Sequence, residues 1–296
     1  MDEPALRVWM QEGVPPATCY GERPGRWVAE DAWPSSSTAW HMMALNAGGR
    51  LGGPAAPHER LSVCSPLTVG NAAGEVGRYG GDADWPTDQR EDDGGSLVFR
   101  SAPLSEPLEI LGAARVHLRF TSDRKQALVA ARLNDVWPDG RSTRVGIGLL
   151  SLAHRFGHDD PRPLVPGEIA EATVEMDDIA HSFAPGHRLA VSLSTTYWPI
   201  AWPSPEPATL GIETGASTLM LPVRPTREGD ARLRPFDGPE SAPPSPVTRT
   251  MPEDTPRRQV VRDLLSGRIT VDFPRAGGIV EMPEIGQTHR YDGLAR

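Results

Sequence analysis

Alternation of apolar and polar residues, repeated through the middle of the chain, most narrows what this sequence can fold into. Val116, Leu118 and Phe120 alternate with Arg115, His117, Arg119 and Thr121, and Ala172, Val174 and Met176 with Glu171, Thr173, Glu175 and Asp177. Leu189, Val191 and Leu193 form another row, as do Leu219, Leu221 and Val223, with Leu97 and Phe99 a shorter one. A period of two sends successive side chains to opposite faces, so each row reads as a half-buried strand. Between residues 145 and 152 the phase slips at Leu149-Leu150, which predicts a bulge there.

Turn chemistry separates the rows. Pro138-Asp139-Gly140 predicts a hairpin between strands at 127–133 and 145–152. Pro166-Gly167 and Pro185-Gly186 each precede a strand and suit type II turns with glycine at the positive-φ position. The 30 glycines and 31 prolines make 61 of 296 residues, which leaves little room for long helices. About eight short strands at this spacing predict an all-β, two-sheet sandwich of the jelly-roll kind. Without βαβ alternation, a doubly wound sheet or a complete α/β-hydrolase domain is not encoded here.

The flanks differ. Residues 1–40 hold one strand-like piece at 6–10 and then a Pro-rich stretch with Trp27, Trp33 and Trp40. From about residue 224, Pro235, Pro239, Pro243, Pro244 and Pro246 give a linker composition. In residues 258–273 a helix face (Val260, Val261, Leu264, Leu265) competes with a hairpin about Ser266-Gly267, and the hairpin is favoured. The expected units are thus 1–40, a sandwich over 41–223, and a linker with a short hairpin tail over 224–296.

The net charge of -9 disfavours nucleic acid as a partner. The longest uncharged apolar stretch, 145–153, is far short of the roughly 18 residues a membrane helix needs, so no membrane is expected. The acidic start Met1-Asp2-Glu3-Pro4 shows no signal peptide, which points to the cytoplasm. Cys19 and Cys64 make neither a disulfide framework nor a CxxC site and read as small buried thiols in a reducing compartment. The single lysine, Lys125, reads as codon bias.

The search for chemistry yields little. A nucleophile elbow needs Gly-x-Ser-x-Gly, and Gly215-Ala216-Ser217-Thr218-Leu219 fails at the last position. His154 and His158 are four apart, but in a strand-to-loop segment that spacing does not place them on one face. Solvent-facing loop histidines are therefore the preferred reading. The acidic run Asp82, Asp84, Asp88, Glu91, Asp92, Asp93 fails an EF-hand pattern, because Trp85-Pro86 interrupts it and Gly94-Gly95 comes too late. It reads as a connector whose carboxylates pair with Arg78 or Arg90. No metal or cofactor is expected. The third cluster, Tyr197, Trp198 and Trp202 on a Pro-rich loop, has three readings: a plug for the sandwich end, a domain interface, or a sugar-stacking platform.

These residues also carry a resemblance. Ser122-Asp123-Arg124, Ala130-Ala131-Arg132-Leu133 with Asp135, and Pro138-Asp139-Gly140-Arg141-Ser142-Thr143 resemble the C-terminal domain of the CocE/NonD hydrolases. That family includes cocaine esterase, X-prolyl dipeptidyl-peptidases and α-amino-acid ester hydrolases. The likeness continues through His154-Arg155, residues 163–168, Pro185-Gly186-His187-Arg188, Tyr197-Trp198-Pro199, residues 202–207 and Leu221-Pro222-Val223-Arg224. Upstream it takes in Trp27 to Pro34, Cys64-Ser65-Pro66-Leu67 and Asp88-Gln89-Arg90-Glu91-Asp92-Asp93, covering roughly residues 5–270.

The resemblance implies a galactose-binding-domain-like jelly roll beside an α/β-hydrolase domain that holds the whole Ser-Asp-His triad. The family's catalytic histidine falls shortly before the segment that Leu6-Arg7-Val8-Trp9-Met10 resembles, so no catalytic residue carries over. The expected role is non-catalytic: to pack on a hydrolase domain missing from this chain or encoded separately, wall its cleft and stabilise it. Tyr197, Trp198 and Trp202 are the candidate interface or cleft-lining residues. An independent carbohydrate-binding module is the alternative, as is a structural partner acting in trans. A bared apolar face would favour homo-oligomers.

Overall fold

The computed structural model describes residues 3–54, 56–74, 85–238, 240–243, 246–250, 258–274, 278–291 and 294–295. Arg78, Asp82, Asp84, Pro239 and Pro244, named above, lie outside these residues. The chain divides into two compact units, Met1–Leu233 and Arg234–Arg296.

The first unit is built from β1 (Leu6–Glu12), β2 (Gly25–Glu30), β3 (Ala39–Asn46), β4 (Arg50–Leu51), β5 (Arg60–Val63) and β6 (Leu97–Arg100). It continues with β7 (Leu108–Ser122), β8 (Leu128–Val136), β9 (Ser142–Ser151), β10 (Ile169–Phe183), β11 (Arg188–Ser194), β12 (Leu210–Glu213) and β13 (Thr218–Val223). A single helical turn, α1 (Arg90–Asp93), precedes β6. The strands form one curled 13-stranded sheet in the order β2-β1-β10-β7-β13-β3-β4-β6-β11-β8-β9, with β12 set between β7 and β5. β3 makes the corner: Ala39 to Ala44 pair with β13, and Leu45 and Asn46 with β4. The result is the all-β sandwich that the alternation predicts.

The alternating rows face the core. Val116, Leu118 and Phe120 of β7 join Ala172, Val174 and Met176 of β10 and Leu189, Val191 and Leu193 of β11 in one buried cluster. Opposite faces of β7 and β10 carry cross-strand pairs, Arg115–Glu175 at 2.7 Å and Arg119–Glu171 at 3.4 Å. A satellite cluster of Met10, Val28 and Leu111 ties β1 and β2 to β7. The predicted turns hold. β8 and β9 form an antiparallel hairpin around Gly140 at φ +89°. Gly167 and Gly186 have φ of +83° and +82°, with Glu168 N donating to Val165 O and His187 N to Ala184 O.

The expected bulge lies elsewhere in β9. Leu133 pairs with Gly146 and Asn134 with Arg144, so Val145 is the extra residue. Leu149-Leu150 is ordinary alternation: Leu150 packs on the core, while Leu149 faces out at 40% exposure. The phase looked broken because inward positions 146 and 148 are glycines. A Cβ at Gly148 would stand 2.4 Å from the Glu175 carbonyl of β10, so the two layers touch backbone to backbone there.

In the second unit, β14 (Thr248–Thr250), β17 (Gly278–Met282) and β18 (Gln287–Tyr291) form a three-stranded sheet. β15 (Gln259–Arg262), β16 (Ile269–Pro274) and β19 (Leu294–Ala295) form another. β15 and β16 are the favoured hairpin. Its turn is tied by Asp263 Oδ1, which accepts from Leu265 N and Ser266 N at 2.9 Å. Those bonds hold the Asp263 carboxyl below its ordinary range.

Candidate functional site

The aromatic loop follows β11, and the structure separates its three residues. Tyr197 is fully buried among Val69, Ala73 and Ala130. Its hydroxyl accepts from Arg144 Nη1 at 2.8 Å, and burial pushes its pKa up. Ala201 N donates back to Tyr197 O at 2.8 Å, which closes the loop into a turn. Trp198 is half-buried, and Gly70 lies against its backbone. At Gly70 φ is +113° and a Cβ would stand 2.4 Å from Trp198 O, so only glycine fits. Trp202 is 88% exposed. Tyr197 is therefore the anchor and Trp202 the presented group. Beyond it, Pro205 and Glu206 help line a groove of about 420 Å³ with Arg124, Lys125, Pro163 and Pro166.

The acidic connector is fixed by an arginine that spacing could not indicate. Arg132 of β8 is wholly buried; its Nη1 donates to Gln89 Oε1 at 2.9 Å, and its Nη2 to Asp93 Oδ1 at 3.1 Å and Ser96 Oγ at 2.8 Å. Asp92 Oδ1 accepts from Gly70 N at 3.0 Å, which couples the α1 turn to the glycine beneath Trp198. Burial pushes the Asp92 carboxyl up, against the pull of the Arg132 charge and the Gly70 and Ala72 amides. Asp88 pairs with Arg90 at 2.6 Å, one of the two pairings expected; Arg78 lies outside the described residues. Burial raises the Asp88 carboxyl, but the hydrogen bonds and charge of Arg90 outweigh it and hold it low. Guanidinium groups thus lie beside Asp88, Asp92 and Asp93 of this run.

Two further charged clusters join distant segments. Asp135 of β8 is buried between His187 (Nδ1 to Oδ1, 2.7 Å) and His181 of β10 (Nε2 to Oδ2, 3.2 Å). Arg224 is buried against Glu30 and Asp230, with Nε to Glu30 Oε1 at 2.6 Å and Nη1 and Nη2 to the Asp230 oxygens at 2.8 Å. Burial raises both carboxyls, yet the bonds from Arg224, joined at Glu30 by Ser35 and Ser37, hold them low. Separations of 46, 52 and 194 residues leave no spacing signal for the two Asp135 pairs or for Arg224–Glu30.

Two sequence readings need correction. Cys19 and Cys64 are exposed, not buried. Cys64 follows the inward Val63, so alternation turns it to solvent. His154 and His158 come together, Nδ1 to Nδ1 at 3.3 Å. A 3₁₀ turn over Leu152–His154 and the Gly157 N to His154 O bond fold the segment back, so a spacing of four brings them together although the segment is not an α-helix. Ser217, from the failed elbow, is buried and its Oγ accepts from Arg119 N at 3.0 Å. Among the described residues no serine or cysteine is hydrogen-bonded to an imidazole, and no group of three or more His, Cys, Asp and Glu is placed to hold a metal. Among them, too, no helix is long and apolar enough to cross a membrane.

The profile of the X-Pro dipeptidyl-peptidase C-terminal non-catalytic domain matches residues 1–231. The chain belongs to that family. A Mycobacterium bovis protein named as a serine esterase is 31% identical over 205 residues, 61% of this chain and 32% of its own length. Cocaine esterase of Rhodococcus sp. is 26% identical over 200 residues, 63% of this chain and 35% of its own. A solved α-amino acid ester hydrolase superposes with a TM-score of 0.55 at 25% identity, over 68% of this chain and 39% of its own. The PepX-type domain described here thus spans about a third of the length of the curated relatives it matches. The CocE/NonD likeness read from Asp88-Gln89-Arg90-Glu91-Asp92-Asp93 and Tyr197-Trp198-Pro199 is that of this family.

Proposed function

We propose that this domain buttresses the α/β-hydrolase domain of a CocE/NonD-type serine hydrolase of dipeptidyl-peptidase or acyl-ester type. It packs on that domain, walls its substrate cleft and stabilises it. Residues 1–40 lead to the hydrolase domain while adding β1 and β2 to the sheet, 41–223 form the rest of the sandwich, and 224–296 are a linker and tail. The hydrolase domain belongs to the same polypeptide or to a separately encoded one, and the compartment is the cytoplasm, where exposed Cys19 and Cys64 stay reduced.

The observation that carries this reading is Trp202, 88% exposed on a loop pinned by the buried Tyr197. An exposed indole on a pinned loop suits an interface anchor: burial of its roughly 200 Å² on contact is favourable by a few kcal/mol. The Asp92–Gly70 bond supports it, because it fixes the loop from beneath.

The test is co-purification of this chain with the α/β-hydrolase domain of its own enzyme, expressed as a separate polypeptide. A 1:1 complex on size exclusion, weakened about tenfold or more by Trp202→Ala, is expected. Two results would overturn the proposal: no complex, or hydrolysis of p-nitrophenyl esters by the isolated chain that a serine-directed phosphonate blocks. A Trp202-dependent fluorescence response to polysaccharides, with no complex, would assign the loop to sugar stacking instead.

A further inference from the structure

We propose that His154 and His158 form a chelating site for one divalent transition-metal ion. Their Nδ1 atoms stand 3.3 Å apart, with ring centroids at 5.1 Å and planes inclined by 41°. Two nitrogens each about 2.0–2.1 Å from a tetrahedral zinc ion are separated by about 3.3–3.4 Å, so the pair already has the bite of a zinc chelate. Two facing imidazole lone pairs repel unless a proton or a cation lies between them. The structure holds the two tilted rings with their Nδ1 atoms turned to one another, and either occupant satisfies both.

The surrounding loop keeps that geometry. Gly157 N donates to His154 O at 3.0 Å, and Gly157 itself has φ +131°. Arg155 Nη1 bridges Leu152 O at 2.9 Å and Arg162 O at 2.6 Å, and Arg162 N closes onto Ala153 O at 2.7 Å. Both guanidinium groups lie over the exposed Phe156 ring, at 4.6 and 5.4 Å. Arg162 also pairs with Asp160 at 3.0 Å. Preorganisation of this kind lowers the entropy cost of chelation.

The donor set selects the metal class. Imidazole suits zinc, nickel and copper, whereas calcium and magnesium prefer oxygen ligands. His158 is exposed, which leaves the remaining positions open to water.

Isothermal titration of tag-free, metal-stripped chain with ZnCl₂, NiCl₂ and CaCl₂ tests the site. Saturable 1:1 binding of zinc and nickel, with no calcium heat, is expected. His154→Ala and His158→Ala should each weaken zinc binding about tenfold or more and abolish a zinc-induced rise in Tm, while His117→Ala should not. Zinc binding no tighter than about 1 mM, or binding that neither substitution weakens, would overturn the proposal. Neither result bears on docking through Trp202.

Discussion

The Nδ1 of His187 lies 2.7 Å from Oδ1 of Asp135, and the other oxygen of that carboxylate meets His181 at 3.2 Å. Asp135 lies on β8, His187 leads into β11, and His181 lies on β10 toward the other edge of the curled sheet. One buried carboxylate therefore braces both layers of the sandwich. Asp135→Ala leaves two buried imidazoles without this partner, and should cost about 2–4 kcal/mol in urea unfolding. Asp135→Asn, which keeps one acceptor oxygen, should cost less. A loss below about 0.5 kcal/mol for the alanine variant would show that the bridge contributes little.

Arg132 should behave as a buried charge with fixed partners. Arg132→Ala leaves the Asp93 carboxylate, whose side chain is 5% exposed, with only the Ser192 hydroxyl at 2.6 Å and Arg100 at 3.8 Å, and removes the donor to Gln89 and Ser96. A loss of about 3–5 kcal/mol is expected, as for other broken buried pairs. Arg132→Lys should recover only part of it, because one ammonium cannot reproduce the fork to Gln89 and Asp93. Full recovery by lysine would contradict the forked geometry.

The Arg224 cluster predicts an acid-sensitive clasp. Glu30 and Asp230 titrate below their ordinary range in the folded chain. The unfolded state therefore binds more protons in that window, so stability rises with pH across it. The contribution is complete above about pH 5 and is lost as pH falls below about 4. In Arg224→Met the slope of stability against pH between about 3 and 5 should flatten. An unchanged slope would mean that the acid response arises elsewhere.

Gly148→Ala should destabilise the sandwich by about 1–3 kcal/mol, because its Cβ would meet the Glu175 carbonyl. Gly157→Ala, which meets no neighbour but sits at φ +131°, should cost about 1 kcal/mol through backbone strain alone. Thermal unfolding of both variants would show whether layer spacing is the stronger constraint.

Strands were legible where one face is core and the other water, as in Val116-Leu118-Phe120, because burial imprints a period of two. The hairpin and both Pro-Gly turns were legible because positive φ demands glycine. β9 was misread where glycine replaces the inward apolar residue: the layers touch through backbone, which leaves no hydrophobic mark. The approach of His154 to His158 was not legible because a 3₁₀ turn and the Gly157 turn, not an α-helix, bring a spacing of four together. Asp135 with its histidines and Arg224 with Glu30 were missed, since pairs this far apart in sequence become neighbours only through sheet order. In the aromatic loop the sequence named Tyr197, Trp198 and Trp202 together, and only the packing against Gly70 and Ala130 divides anchor from exposed ring.

β1 runs parallel to β10, with Gln11 opposite His181, and β2 lies beyond it at the margin of the sheet. A shortened chain lacking these two strands would leave β10 with unsatisfied amides and carbonyls along that side, and Arg224 without Glu30. Bare strand margins recruit one another, so a trimmed version made for crystallisation or fusion would be prone to clump, and the first forty residues are best kept.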